Sequence, residues 1–105
     1  MVKKLLFISF LCIATAGFSQ KTLTQLSAAP NPFITRTSIQ FETTKNQPVF
    51  LIIKNVLGKT VFKKTHSSKK GKNSIPFYKN NLKSGMYFYI IQSNKEVISK
   101  RFIIQ

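Results

Sequence analysis

Four side chains in this sequence are suited to acid–base, nucleophilic or metal chemistry: His66, Glu42, Glu96 and Cys12. There is no aspartate, and the two glutamates are the only carboxylates. General acid–base work needs a convergent pair of titrating groups, and here the pair is far apart in the chain. His66 stands in a basic stretch beside Ser67 and Ser68, away from both glutamates in the sequence, and as a catalytic base it has no evident orienting acid of the kind a hydrolytic triad supplies. It reads as a surface residue. One histidine and two isolated glutamates do not assemble the three or four ligands of a zinc-type site. Gly71 and Gly85 stand in turn-like stretches, with no glycine run opening a helix to cradle phosphate. The expectation is a chain with no catalytic residues, no metal and no cofactor, and therefore not an enzyme.

Binding chemistry is better supplied. Lysine and arginine number 17 against 2 acids, for a net charge of +15. Lys63, Lys64, Lys69, Lys70 and Lys72 cluster around what reads as one hairpin end, a patch suited to phosphate-rich partners. Phe77 and Tyr78 follow, and such rings can stack on bases. Both also fit the alternation of a strand, so nucleic acid is not the expected partner. A small secreted cationic protein binding lipopolysaccharide, polysaccharide or extracellular DNA is the alternative this patch keeps open.

The first residues have a different purpose. Lys3 and Lys4 precede an apolar run from Leu5 to Ile13, and Ala14-Thr15-Ala16-Gly17-Phe18-Ser19 supplies small residues at two cleavage frames. This is the order of a secretory signal peptide. The apolar stretch ending at Phe18 is shorter than the ~20 residues that cross a bilayer. Cys12 follows Phe10-Leu11, too bulky for a lipoprotein cleavage frame, and serves as a small apolar residue of the leader. Cleavage after Ala16 or Ser19 leaves neither a cysteine nor a membrane span in the mature chain, so no disulfide or thiolate is available. We expect a signal peptide over residues 1–19, a short linker over 20–28 and one domain over 29–105, exported by way of the periplasm.

That domain is all-β. Thr37, Ile39 and Phe41 alternate with Ser38, Gln40 and Glu42, the period of a half-buried strand. Val49, Leu51 and Ile53 form the core face of the next strand, and Lys54 marks its other face, with Phe50 and Ile52, as the wetter one. Asn55-Val56-Leu57-Gly58 turns the chain into a strand from Lys59 to about His66, Gly58 supplying the positive φ of a tight bend. Ser67 to Lys72 reads as a loop, and Asn73 to Tyr78 as a strand that Pro76 confines to an edge or bulge. Met86 to Gln92 is the most strongly β segment and belongs in a sheet interior, and Glu96 to Ile104 closes the chain. With the weaker Leu23 to Ala28 there are about seven strands, spaced as in an immunoglobulin-like antiparallel sandwich.

Four segments of this pattern occur together: Ala29-Pro30-Asn31-Pro32-Phe33, the alternating strand Val49 to Ile53 running into Asn55-Val56-Leu57-Gly58-Lys59, Leu82-Lys83-Ser84-Gly85-Met86-Tyr87-Phe88-Tyr89, and the basic ending Lys100-Arg101-Phe102-Ile103-Ile104-Gln105. In this order they resemble the C-terminal sorting domain of the type IX secretion system of Bacteroidetes, type A, over roughly residues 27–105. The resemblance implies a non-enzymatic sorting module, read by the outer-membrane translocon and removed by a sortase-like cysteine protease. It also implies cargo delivered to the cell surface or medium, usually attached to anionic lipopolysaccharide. Pro30, Asn31, Pro32, Asn55, Leu57, Gly58, Gly85, Tyr87, Lys100 and Arg101 are the motif positions it singles out. Lys100-Arg101 and the open edge of the last strand are the expected translocon contacts, by strand addition.

Overall fold

A computed structural model describes residues 21–105; the expected leader, Cys12 and Gln20 lie outside the described residues. Seven strands follow in order: β1 (Leu23–Ala29), β2 (Arg36–Thr43), β3 (Gln47–Asn55), β4 (Thr60–Ser68), β5 (Gly71–Tyr78), β6 (Gly85–Gln92) and β7 (Val97–Ile104). They form two antiparallel sheets, ordered β1-β2-β5 and β4-β3-β6-β7. Among the described residues there is no helix.

The expected sandwich is therefore present, with β4 hydrogen-bonded to β3 through the tight hairpin between them. β5 is an edge strand, where the missing N–H of Pro76 costs no ladder bond. β6 lies between β3 and β7, the interior place its composition predicts. Between β4 and β5 the structure departs from expectation. Ser67 to Lys72 is mostly strand, and only Lys69 and Lys70 link the two sheets. Side chains shorten the link: Asn73 Oδ1 accepts from Lys69 N at 3.0 Å, Asn73 Nδ2 donates to Lys69 O at 2.8 Å, and Asn46 Oδ1 accepts from Lys70 N at 2.8 Å.

The core is the inward set of alternating residues. Ile39 and Phe41 of β2, Val49, Leu51 and Ile53 of β3, Ile75 and Phe77 of β5, and Tyr87, Tyr89 and Ile91 of β6 are all buried. β7 adds Phe102 and Ile104. Phe102 stacks on Tyr89 at 5.2 Å and on Phe77 at 5.7 Å, and meets the edge of Phe33 at 5.0 Å. Such ring pairs add about 0.5–1.5 kcal/mol beyond their area.

β1 buries both Leu23 and Leu26, which a period of two cannot do. Gln25 takes a positive φ of 58°, and the register with β2 shifts between Thr24 and Ser27. The irregularity re-aims Leu26 into the core, the usual effect of an extra residue in one strand.

At the end of the sandwich where β1 and β7 begin, Glu96 ties the chain together. Its carboxylate accepts from Thr22 N at 2.7 Å, from Thr22 Oγ1, and from Leu23 N at 3.1 Å. Burial pushes this carboxyl upward, but the three hydrogen bonds and the Lys45 charge outweigh it and hold the group below its usual range.

Candidate functional site

Because every strand is antiparallel to its neighbours, β1, β3, β5 and β7 end, and β2, β4 and β6 begin, at one pole of the sandwich. The parallel bridge between Phe33 and Ile104 joins the two sheets there. All four singled-out segments, scattered over most of the domain's sequence, reach this pole, the second by its end at Asn55-Val56-Leu57-Gly58-Lys59.

The first segment caps the last. Pro30 and Pro32 follow cis peptide bonds, and the Pro30 carbonyl accepts from Thr37 Oγ1 at 2.7 Å. Asn31 then acts as a peptide group turned sideways: its Oδ1 accepts from Ile103 N at 3.0 Å and its Nδ2 donates to Arg101 O at 3.3 Å. Phe33 N donates to Ile103 O at 3.0 Å, and Gln105 N donates to Phe33 O at 2.8 Å. The Phe33 ring, only 2 % exposed, anchors the segment in the core. The outer edge of β7 is thus occupied from Arg101 to Gln105. Its first half, Val97 to Ser99, flanks a groove of about 700 Å³ beside β1, lined by Leu23, Leu26, Ile98 and Lys100. Lys100 and Arg101 are both exposed.

The second segment runs along β3 and ends in a turn held by its asparagine. Asn55 Oδ1 accepts from Leu57 N and from Lys59 N, both at 3.0 Å. Its backbone accepts from Gly58 N at 2.9 Å and donates to Lys59 O at 3.0 Å. Gly58 has φ 83°, a conformation that costs a side-chain-bearing residue strain. This ordered turn holds Leu57 89 % exposed, so the leucine has no part in the core.

In the third segment Gly85 opens β6 at φ 146°, again a position for glycine. Two residues on, the buried Tyr87 donates its hydroxyl to Lys83 O at 2.8 Å and pins the preceding loop to the sheet.

The five lysines of the expected patch are spread out. Lys69 and Lys70 form the inter-sheet link at the opposite pole, and Lys72 lies on β5 opposite Glu42. Lys63 and Lys64 sit mid-strand on β4 and, as successive strand residues, point to opposite sides. Lys63 Nζ lies 4.6 Å from the centre of the Phe50 ring. The two-residue link explains this: a loop from 67 to 72 would have gathered the lysines, whereas extended strands separate them. Tyr78 is exposed and Phe77 is buried in the core.

The chemistry-bearing residues are likewise separated. His66 packs edge-on to Phe41 at 6.2 Å. Phe41 points inward, so Glu42 beside it points to the opposite face of β2, and Glu96 is engaged by Thr22 and Leu23. No group of three or more His, Cys, Asp or Glu residues able to hold a metal occurs among the described residues. Nor, among them, is any helix long and apolar enough to cross a membrane.

At the motif pole the arrangement offers shape and hydrogen-bonded turns. The family described as the secretion system C-terminal sorting domain matches residues 27–105. The chain belongs to this family. No curated protein matches the chain. The matched span begins within β1 and runs through Gln105, taking in β2 to β7 entire, and the role of this sorting domain is sorting in type IX secretion.

One feature of the sorting domain escaped the sequence reading. Phe50, Ile52, Phe88 and Ile90 lie on the outer side of the larger sheet. The face of β3 marked as wetter holds Ile52 at only 9 % exposure. The available signal was that β3 and β6 are apolar at both parities, which a sheet with one buried face does not need.

Proposed function

We propose that this chain is a non-enzymatic address label. A leader over residues 1–19 delivers it to the periplasm. The type IX translocon then reads the folded domain at the pole where the four segments meet. A sortase-like cysteine protease removes the label, and the exported product reaches the cell surface or the medium, attached to anionic lipopolysaccharide. The observation that supports this reading best is that one pole gathers the family's separated motif residues, Asn31, Asn55 and Tyr87 organising its turns while Leu57 stands in solvent.

Within this reading Lys100, Arg101 and the free half of the β7 edge are the translocon contacts. The edge from Val97 to Ser99 has unpaired backbone groups of the kind that accept an added strand, and the adjoining groove gives such a strand room.

Fusing residues 21–105, which keep the whole of β1 with its buried Leu23 and Leu26, behind a periplasmic reporter tests the reading. In a host carrying the type IX machinery the reporter is expected outside the cell, and in a strain lacking the translocon it is expected to stay in the periplasm. A reporter retained in the periplasm of both strains would sink it.

A further inference from the structure

The outer face of the β4-β3-β6-β7 sheet is apolar where solvent would favour polar residues. Cross-strand register puts Ile52 beside Ile90 and Met86 beside Ile103, so the apolar side chains adjoin one another. Phe50 is 39 % exposed and Ile103 46 % exposed, while Ile52, Phe88 and Ile90 fill the space between. Single exposed apolar residues are ordinary, but a contiguous patch of this kind marks an interaction surface.

Its charge is one-sided. Lys54 and Arg101 flank Phe88 on either side, Lys63 lies opposite Ile52, and Lys63 Nζ covers the Phe50 ring. Neither glutamate is on this face: Glu42 belongs to the other sheet, and Glu96 is bound to Thr22 in the turn before β7. A second copy of the chain would bring these cations against their equals with no acid to pair them. A bilayer surface is a poor match as well, because membrane-seated apolar groups sink roughly 5–10 Å into the lipid boundary, whereas Ile52 lies down within its own sheet at 9 % exposure. An apolar centre with charge at its margin is the anatomy of a protein–protein interface.

We propose that this face is the docking surface through which the domain seats on a protein of the secretion machinery, a partner apolar at its centre and acidic at its rim. The inference rests on the sorting reading above and adds to the motif pole a face that begins there, at Met86 and Ile103.

The test uses the same reporter fusion with two face variants. One is F50T/F88T/I90T, threonine being chosen for its β propensity; the other is K54E/K63E, which reverses charge without touching the apolar centre. The control is S38A/S74A on the opposite outer face. Both face variants should lower the exported fraction by about tenfold or more, the charge-reversal variant melting within a few degrees of the unsubstituted domain and the triple variant lower but still folded at the temperature of the export assay. The control should export normally. If the triple variant does not fold, the charge-reversal variant decides. Normal export by a folded face variant overturns the proposal and leaves the sorting reading standing, and a parent fusion that never leaves the periplasm overturns both. Binding of the purified domain to phosphatidylglycerol-containing vesicles, abolished by the triple substitution, overturns it in favour of lipid. A dimer in sedimentation that the same substitution dissolves overturns it in favour of a second copy.

Discussion

The two sheets share a core but present unlike surfaces to solvent. Outside β1-β2-β5 stand Ser38, Gln40 and Glu42, facing Ser74 and Lys72 across the ladder, with Ser38 and Ser74 hydrogen-bonded through their hydroxyls. Outside β4-β3-β6-β7 stand Phe50, Ile52, Phe88 and Ile90. A sandwich needs one apolar face per sheet, and β2 stops there, whereas β3 and β6 continue to the second face. Stability explains the inner residues of both sheets and only the polar outer face of one. The apolar outer face answers to something beyond the fold.

Substitutions can break or sharpen that contrast. Neighbours on β3 give the largest difference: Ile53→Ala, on the core side, should cost about 2–5 kcal/mol by leaving a cavity. Phe50→Thr, on the outer side, should cost about 1 kcal/mol or less in urea unfolding, since the ring already meets water and threonine suits a strand. Equal losses would mean that the outer face is a second core. Next in size is Asn31→Ala, which removes two side-chain hydrogen bonds to β7 and should cost about 1 kcal/mol. Amide exchange should speed up at Ile103 while protection at Phe102, whose backbone pairs with β6, changes little. Uniform loss of protection along β7 would show that the cap supports the whole sheet rather than one edge.

The smallest effect is at the opposite pole. Glu96 has a folded-state pKa below its unfolded value, so its stabilisation is fully present above the ordinary glutamate value of about 4.3 and is lost as pH falls through the lower folded value. Solvent screening keeps it below about 1 kcal/mol. Glu96→Gln should therefore lower the melting temperature slightly near neutral pH, and the gap should close in acid. A gap that is constant with pH would assign the clamp to packing alone.

Much of the fold was legible because period-two alternation is a strong signal where one face is polar. Thr37, Ile39 and Phe41 are buried on the expected side of β2, and in β3, where Phe50 and Ile52 make the second face apolar too, Lys54 alone marks Val49, Leu51 and Ile53 as the core side. Alternation says less where both parities are apolar. In β6, Met86, Phe88 and Ile90 alternate with Tyr87, Tyr89 and Ile91, and only the packing shows that the second set is the buried one. The twist of β1 that buries Leu26 was hidden because the turn lies at Gln25, a residue with no marked preference for positive φ. At the motif pole the residue types were readable and their partnership was not. Asn31 meets the backbone of Arg101 and Ile103 across nearly the whole domain, a distance over which no local periodicity carries information. The loop expected at Ser67 to Lys72 shortened because Asn73 and Asn46 use their amides to satisfy its backbone, a tertiary arrangement invisible in composition.

The central claim is that four dispersed segments act as a single recognisable shape. Export of the reporter fused to a domain carrying Ile39→Ala and Ile91→Ala tests it most directly, since both residues lie in the core and outside every motif segment, so the motifs stay intact in sequence while the fold collapses. With equal amounts of intact fusion in the cell, the account predicts that this reporter remains in the periplasm. Undiminished export from an unfolded domain would contradict it, and would mean that the machinery reads a linear signal.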